Sequence, residues 1–364
     1  MILKEFCSWL DSEIPLSFQE EYDNSGLQTG LPDQEITSAL VTLDVTEEVI
    51  SECIREGCTL IVSHHPVIFN PLKRVTGKSL TERIIYQAVR NDIAIYSAHT
   101  NLDAASNGVS LKMAHKLGLI NPYVLSPLKN RLMKLVTFVP EDYIEKVRTA
   151  VFEAGAGVIG NYDLCGYYLN GSGSYRPGER THPLKGEKGT IHFEKEVRFE
   201  TVLFRHDKEK VISALLTSHP YEEVAYDLYP LENENINVGM GCIGELPEAL
   251  DQKEFLKLVS QTFSSKGIRY SRSSVTEVKA VALCGGAGWG LTADALAAGA
   301  DAFITADLKY HNFIEVPKKL LLIDCGHFET EKFAIEILHD LIVKKFPKFA
   351  VRFSKTNSNP INYI

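Results

Sequence analysis

Short apolar runs alternate with amphipathic segments over both outer parts of this chain. In the first part, the runs "ITSALVTLDVT", "CTLIVSHHP" and "IAIYSAHTNLD" are separated by segments with helical spacing such as "TEEVISECIREG". The same alternation returns in "VKAVALCGGAGWG", "DAFITADLKYH" and "KKLLLIDCGHFE". Continuous apolar runs separated by helices are typical of parallel strands that are buried on both faces. The pattern therefore predicts an α/β host domain with helices on both faces of its sheets.

The middle of the chain follows a different pattern. The stretches "LMKLVTFVPEDYIEKVRTAVFEAGAG" and "FETVLFRHDKEKVISALLTSHPYEEVAYDLYPL" each begin as a strand and continue into a helix, with a Gly-rich polar stretch between them. A twofold repeat of this kind is typical of a ferredoxin-like split β-α-β unit. We therefore predict an inserted ferredoxin-like α+β domain at 128–235 and a discontinuous α/β host domain at 1–127 and 236–364.

Composition limits the classes of function. A net charge of −9 argues against general nucleic-acid binding, because phosphate binding needs a basic surface. No stretch reaches the roughly 20 apolar residues that span a bilayer, and acidic residues interrupt the N-terminus where a secretory signal would be apolar. Seven cysteines without CxxC pairs are typical of reduced thiols. We expect a soluble cytoplasmic protein with no membrane partner.

Histidines and carboxylates gather at the ends of the predicted host strands. These groups are His64, His65, His99, Asp103, Asp307, His311, His327 and Glu331. In parallel α/β sheets, ligands bind beyond the carboxyl ends of the strands, where these residues fall. Pro66 follows the histidine pair and predicts that the strand stops there. In a turn, the two imidazoles diverge less than in a strand and can serve two neighbouring metal ions, about one each.

The donor set points to a dinuclear metal site. We predict His64, His65, Asp103, His327 and Glu331 as ligands; the last two share a face if a helix begins at His327. Imidazole and carboxylate without thiolate suit zinc or iron, with manganese or cobalt as alternatives. Two divalent ions exceed the charge of the two carboxylates, which favours a small anionic substrate. Paired metal ions of this kind are typical of hydrolytic enzymes.

Three groups of residues leave alternatives open. His99 either ligates a metal ion or orients Asp103 from outside the ligand shell. His99 and Asp307 are the candidates for proton transfer. The turn "CGGAGWG" either cradles a phosphate on its backbone amides or makes a tight strand-to-helix turn beside the metal site. His219, Glu222 and Glu223 of the insert either hold a further metal ion or are structural, and we favour the structural role.

Seven motifs together resemble one family. They are "YDNSGLQTG", "VSHHPVIF", "SAHTNLDAASNGVSLKMAHKLGL", "CGGAGWG", "ITADLKYH", "DCGHFETEKFA" and "NSNPINYI". In this order they resemble the Nif-three-like proteins, which are often labelled GTP cyclohydrolase I type two homologues. The departures are Tyr22, where tryptophan is common, and Ala306, where glycine is common; neither is a proposed ligand.

The resemblance implies more than the residues do. It implies two similar α/β halves around a dinuclear metal site, a homohexameric ring with the metals facing its cavity, and an insert resembling the PII or CutA signalling proteins. The ligands it implies fall on the same five residues. The resulting hypothesis is a metal-dependent hydrolase acting on a nucleotide-like anionic substrate such as GTP. The alternative is a non-catalytic metal carrier or a sensor of metal or nucleotide.

Overall fold

The computed structural model describes residues 1–160 and 162–364. The chain forms two compact units, the first made of Met1–Pro127 with Asn237–Ile364 and the second of Leu128–Ile236. Among the described residues, no helix combines the length and the apolar character that crossing a membrane requires.

Strands and helices alternate along the chain. The first stretch contains α1 (Leu3–Glu13), β1 (Gly26–Thr29), β2 (Ser38–Thr42), α2 (Glu47–Arg55), β3 (Leu60–Ser63), α3 (Leu80–Arg90), β4 (Ala94–Ser97), α4 (Thr100–Ala104), α5 (Val109–Leu117) and β5 (Ile120–Leu128). The second unit contains β6 (Leu132–Pro140), α6 (Ile144–Glu153), β7 (Gly166–Tyr175), β8 (His192–Phe204), α7 (Lys208–Ser218) and β9 (Tyr226–Leu231). The last stretch contains β10 (Asn235–Asp251), α8 (Gln252–Phe263), β11 (Arg269–Tyr270), β12 (Glu277–Leu283), α9 (Thr292–Ala297), β13 (Ala302–Thr305), α10 (Tyr310–Glu315), β14 (Leu321–Asp324), α11 (His327–Glu331), α12 (Ala334–Lys345) and β15 (Ala350–Phe353).

The first unit contains two sheets. One has the strand order β1-β4-β3-β2-β15 and the other β11-β14-β13-β12-β10-β5. Four strands of the first sheet (β15, β2, β3 and β4) and three of the second (β12, β13 and β14) run parallel, as the apolar runs predict. Strands β1, β10 and β11 are antiparallel additions. The mixed α/β class of the host is confirmed.

A shared hydrophobic core joins the two sheets. Val62 of β3 and Tyr96 of β4 belong to the same buried cluster as Leu283 of β12 and Ile323 of β14. Separate clusters cover the other face of each sheet, with α2 and α3 packed on the first. Every residue of β2, β3, β4, β13 and β14 is buried. The predicted metal ligands therefore follow strands that are buried along their whole length, namely β3, β4 and β14.

The second unit has one antiparallel sheet with the strand order β7-β8-β6-β9. Both helices pack on one face of this sheet, where Val147 of α6 and Val211 of α7 meet Leu135 and Phe199. The helices begin later than the sequence predicts, because a 3-10 turn precedes each of them. The Gly-rich polar stretch forms the exposed edge strand β7.

Glu52 of α2 anchors the C-terminal segment. Its buried carboxylate accepts hydrogen bonds from the Ser354 hydroxyl at 2.6 Å, the Lys355 amide at 2.8 Å and the Thr356 hydroxyl at 2.6 Å. Burial raises the pKa of Glu52, but the hydrogen bonds from Ser354 and Thr356 outweigh this effect and lower the pKa to about 2.

Replacing Glu52 by glutamine is expected to reduce the free energy of unfolding by about 1–3 kcal/mol at neutral pH. Because the folded-state pKa is lowered, the stabilisation is present above the ordinary value of 4.5 and is lost as the pH falls towards 2. Urea unfolding of both proteins between pH 7 and pH 3 measures this. The difference should shrink on acidification, and Glu56→Gln, directly after the end of the same helix, should change little. A difference that does not depend on pH would contradict the assignment.

Candidate metal centre

The histidine pair leaves β3 as a turn. The strand ends at Ser63, and the backbone amides of His64 and His65 still bond to Thr42 at 3.2 Å and Leu43 at 3.0 Å. The two imidazole centroids lie 5.1 Å apart with the ring planes 43° apart. Both rings therefore reach one site, which a continuing strand would not allow.

Helix α11 begins at His327, as the four-residue spacing to Glu331 requires. Gly326 precedes it with φ +96°. The Nε2 atom of His327 lies 2.8 Å from Oε2 of Glu331. The same carboxylate oxygen lies 2.8 Å from Nε2 of His65, which comes from the other sheet. The loop after β14 thus meets the loop after β3.

The five predicted ligands fall into two overlapping groups that could each hold a metal ion. One contains His64, Asp103 and Glu331, and the other contains His65, His327 and Glu331. His64 Nε2 is 3.7 Å from Asp103 Oδ1 and 3.9 Å from Glu331 Oε2. His65 and His327 are 3.4 Å apart at their Nε2 atoms. Ligands of a tetrahedral zinc ion lie about 3.3 Å apart, so these distances suit a metal ion.

Two unpartnered atoms test whether a metal ion fits. Nε2 of His64 and Oδ1 of Asp103 are buried and have no hydrogen-bond partner among the described residues. Nδ1 of His64 is already used, since it lies 2.8 Å from the carbonyl oxygen of Ala98. Buried polar atoms are normally paired, and a cation bound between these two atoms would pair both of them. The residues present therefore fit a metal ion.

The ionisation of the group is strongly perturbed. Burial lowers the pKa of His64 to about 3, and burial together with Glu331 raises the pKa of Asp103 well above its ordinary value. Burial also disfavours the charged forms of His65 and His327, but contacts with Glu331 and one further aspartate each raise their pKa values to about 10 and about 9. These two imidazoles hold the pKa of Glu331 well below its ordinary value despite burial. Without metal, Glu331 is thus held by protonated histidines, which a cation would replace.

His99 belongs to the same site. Its ring centroid lies 5.3 Å from those of His64 and of His65, and the three imidazoles form a further group that could hold a metal ion. The hydrogen-bond partner of its Nδ1 is Asp23, at 2.7 Å, rather than Asp103. Asp23 also accepts from Thr100 and from Ser25. Its carboxylate therefore orients His99 and leaves Nε2 free.

Two further aspartates orient the other histidines. Asp307, predicted as a proton-transfer group, lies with Oδ2 2.8 Å from Nδ1 of His327. Asp44, which sequence reasoning missed, lies with Oδ1 2.7 Å from Nδ1 of His65. Asp44 follows β2 directly, so the rule that singled out the other strand ends would have found it. Asp23 lies in the "YDNSGLQTG" motif, but nothing in its spacing connects it to His99.

The glycine turn "CGGAGWG" lies against Glu331. A Cβ atom on Gly286, which has φ +60°, would lie 2.0 Å from Glu331 Oε1. The backbone amides of Gly286 and Gly288 donate to the hydroxyls of Thr330 and Thr305, at 3.0 and 2.7 Å. Because these two amides already donate hydrogen bonds to the protein, they are not available to a phosphate. This favours the tight turn over the phosphate cradle.

The remaining predicted residues have other partners or belong to the second unit. His311 is exposed and contacts the ring of Tyr310. His219 lies 3.1 Å from the carbonyl oxygen of Phe138, and Glu222 accepts the amide of His182. Among the described residues, His219, Glu222 and Glu223 form no group that could hold a metal ion.

Comparison with known proteins decides the family. A family model described as Duf34/NIF3 (NGG1p interacting factor 3) matches residues 1–360. The chain belongs to the NIF3 family. Its NIF3 relatives include proteins named "GTP cyclohydrolase 1 type 2 homolog" from Halalkalibacterium halodurans and Bacillus subtilis, which are 40% and 38% identical over 360 residues. Each alignment covers 96% of this chain and 95% of the relative.

Solved structures agree with the NIF3 assignment. A Bacillus cereus protein related to NIF3 matches with a TM-score of 0.87 at 37% identity, over 100% of this chain and 99% of the other. The Staphylococcus aureus protein SA1388 matches with a TM-score of 0.79 at 27% identity, over the same shares of the two chains. The resemblance inferred from the seven motifs is therefore confirmed.

Proposed function

We propose that this protein binds two divalent metal ions through His64, His65, Asp103, His327 and Glu331 and is a metal-dependent hydrolase. The observation that carries the proposal is the pair of unpartnered buried atoms, His64 Nε2 and Asp103 Oδ1, that face each other across 3.7 Å. Glu331 is common to both ligand groups, so it would help to hold both ions. Zinc or iron suits these nitrogen and oxygen donors best, with manganese or cobalt as alternatives.

The ions would supply the Lewis-acid chemistry that activates water for hydrolysis. The chain supplies the remaining functions. His99, whose Nδ1 is held by Asp23, keeps Nε2 free to exchange a proton with the substrate or with water. Asp44 and Asp307 fix the rings of His65 and His327, so they are positioning residues. Asp307 also stays a candidate for proton transfer beside His99, with its Oδ2 atom 2.8 Å from His327 Nδ1.

The substrate class follows from charge and from the relatives. Four positive charges on two ions exceed the two negative charges of Asp103 and Glu331, so an anionic substrate would complete the balance. The relatives named "GTP cyclohydrolase 1 type 2 homolog" make GTP the first substrate to test. We propose a nucleotide-like anion, with hydrolysis at C8 of guanine as the reaction to examine.

The wider organisation is part of the same proposal. The two sheets would be two similar halves around the metal centre, in a host domain of 1–127 and 236–364. The insert at 128–235 would be a ferredoxin-like domain of the PII or CutA type, which its β-α-β-β-α-β order supports. We propose a cytoplasmic homohexameric ring with the metals facing its cavity.

A metal assay combined with a turnover screen tests the proposal. We expect about two metal ions per chain in the protein purified without added metal, and loss of both from the double variant His64→Ala with Glu331→Ala. The exposed His115→Ala is the matched control and should retain them. GTP turnover that disappears with the metal supports the hydrolase. Metal content that is unchanged in the double variant would overturn the metal centre.

The second candidate function is a metal carrier or a sensor of metal or nucleotide. The side chains of His65 and His327 remain 23% and 32% exposed, so an acceptor could reach this end of the site. Metal that passes to a chelating acceptor, without turnover of any nucleotide, would favour this function over the hydrolase.

A further inference from the structure

The second unit contains a cavity of about 640 Å³ on the face of its sheet opposite the helices. Phe138 and Arg198 line it, whereas their strand neighbours Val139 and Phe199 pack under the helices. Cavities of roughly 300–1,000 Å³ are the size that small organic ligands occupy. Nothing in the metal centre uses this cavity.

Glu196 of β8 gives the cavity its chemistry. It lines the cavity and is only 8% exposed. Its Oε1 atom accepts one hydrogen bond, from the hydroxyl of Tyr221 at 2.9 Å. In the part of the chain that the structure describes, it forms no ion pair. Glu196 therefore presents a carboxylate without a cationic partner at the wall of the cavity.

The absence of a side chain at Gly173 leaves room for the carboxylate of Glu196. A Cβ atom at Gly173 of the neighbouring strand β7 would lie 2.1 Å from Glu196 Oε2. The strand thus leaves room for Oε2 at the cavity wall, and Oε2 is the oxygen that Tyr221 does not bind.

The charges around the cavity favour a cationic ligand. Three glutamates (Glu196, Glu222 and Glu223) line it against two arginines. Arg198 is paired with Glu200 at 2.8 Å and Glu222 lies 3.8 Å from Nδ1 of His182, whereas Arg176 is exposed. Glu196 is the buried charged group among them. A metal ion fits poorly, since one buried carboxylate is far short of the six or more oxygens that hard cations take.

Two aromatic rings strengthen the preference. Tyr175 and Tyr221 line the cavity with their ring centroids 6.0 Å apart and their planes at 62°. Aromatic faces attract organic cations through the ring quadrupole. A carboxylate next to two such rings provides both contacts for a protonated nitrogen carried on an apolar body.

We propose that this cavity binds a small organic cation, an amine or amidine on an apolar body, whose nitrogen pairs with Glu196 beside Tyr175 and Tyr221. The residues that line this cavity all belong to the second unit, and the proposal does not depend on the proposed hydrolase function.

Benzamidine, with its neutral isostere benzamide, is the probe that tests the charge. Calorimetric titration of the full chain should give benzamidine at least tenfold tighter binding than benzamide. Glu196→Gln should remove this preference, whereas Glu223→Gln at the exposed rim should keep benzamidine affinity within threefold. Because glutamine still accepts from Tyr221 and carries no charge, the melting temperature of the free Glu196→Gln protein should be unchanged or higher.

A second variant tests the cavity independently, in case Glu196→Gln does not fold. Leu169 lines the cavity and is 46% exposed, so Leu169→Trp should fill the space without disturbing the core and should abolish benzamidine binding. Benzamidine that does not bind wild type, or that binds Glu196→Gln equally well, overturns the proposal. A change of assembly mass by light scattering in either variant would also overturn it, because the face would then be an interface between copies of the chain.

Discussion

Replacing Glu331 by glutamine is expected to remove both metal ions, whereas replacing a ligand of one group removes one ion. The reason is geometric, because Glu331 belongs to both groups of donors and lies 2.8 Å from the nitrogens of His65 and His327. We expect the affinity for both ions to fall by more than about 100-fold. Mass spectrometry measures the metal content of each variant. Dialysis against a weak chelator beforehand removes weakly bound metal, so that differences in affinity appear as differences in content.

The single-group variants are the controls for this result. Asp103→Asn removes a donor from only the first group, and His327→Ala removes one from only the second, so each should retain about one ion per chain. An Asp103→Asn protein that loses both ions would show that the two sites fill as one cooperative unit. A Glu331→Gln protein that retains both ions would contradict the proposal that this carboxylate helps to hold both of them.

Gly286→Ala is expected to damage the centre without touching a ligand. The added methyl group would lie 2.0 Å from Oε1 of Glu331, and the backbone at this position has φ +60°, which L side chains rarely adopt. Left-handed backbone costs about 1–2 kcal/mol and overpacking about 1–3 kcal/mol. We therefore expect a loss of about 2–5 kcal/mol in the free energy of unfolding, together with reduced metal content.

Gly290→Ala is the matched control in the same turn. A Cβ atom there meets nothing within 4 Å, so stability and metal content should both stay close to wild type. Urea unfolding of the two variants measures the effect of strain on stability. Metal analysis measures whether the carboxylate of Glu331 has been displaced. If Gly286→Ala loses stability but keeps its metal, the turn serves the fold alone and not the position of Glu331.

Strand ends made most of the metal centre predictable. A continuous apolar run identifies a buried strand, and its last residues must then emerge at the sheet edge, where the structure brings His64, Asp103 and Glu331 together. The spacing of His327 and Glu331 also predicted their shared helix face. Periodicity supplies the element and its end, and these suffice for groups that follow a strand directly.

The carboxylates that orient the histidines and the antiparallel strands were harder to predict from the sequence. Asp23 meets His99 across 76 positions of the chain, and no local pattern records that contact. Strands β1 and β11 are short and partly exposed, so their sequences lack the apolar run that is typical of the parallel strands. The 3-10 turn before α6 was also missed, since an acidic first turn suits either kind of helix.

The separation of His65 and Glu331 by 266 positions has a consequence for how the protein is made. At synthesis rates of about 5–20 residues per second, the first histidines exist for roughly 13–53 s before their shared carboxylate is added. During that interval the nascent chain, including the whole of the second unit, has no complete donor group that contains Glu331. A metal ion held through Glu331 could therefore be bound only late in biogenesis, and any product of premature termination before α11 would leave the ribosome without this carboxylate.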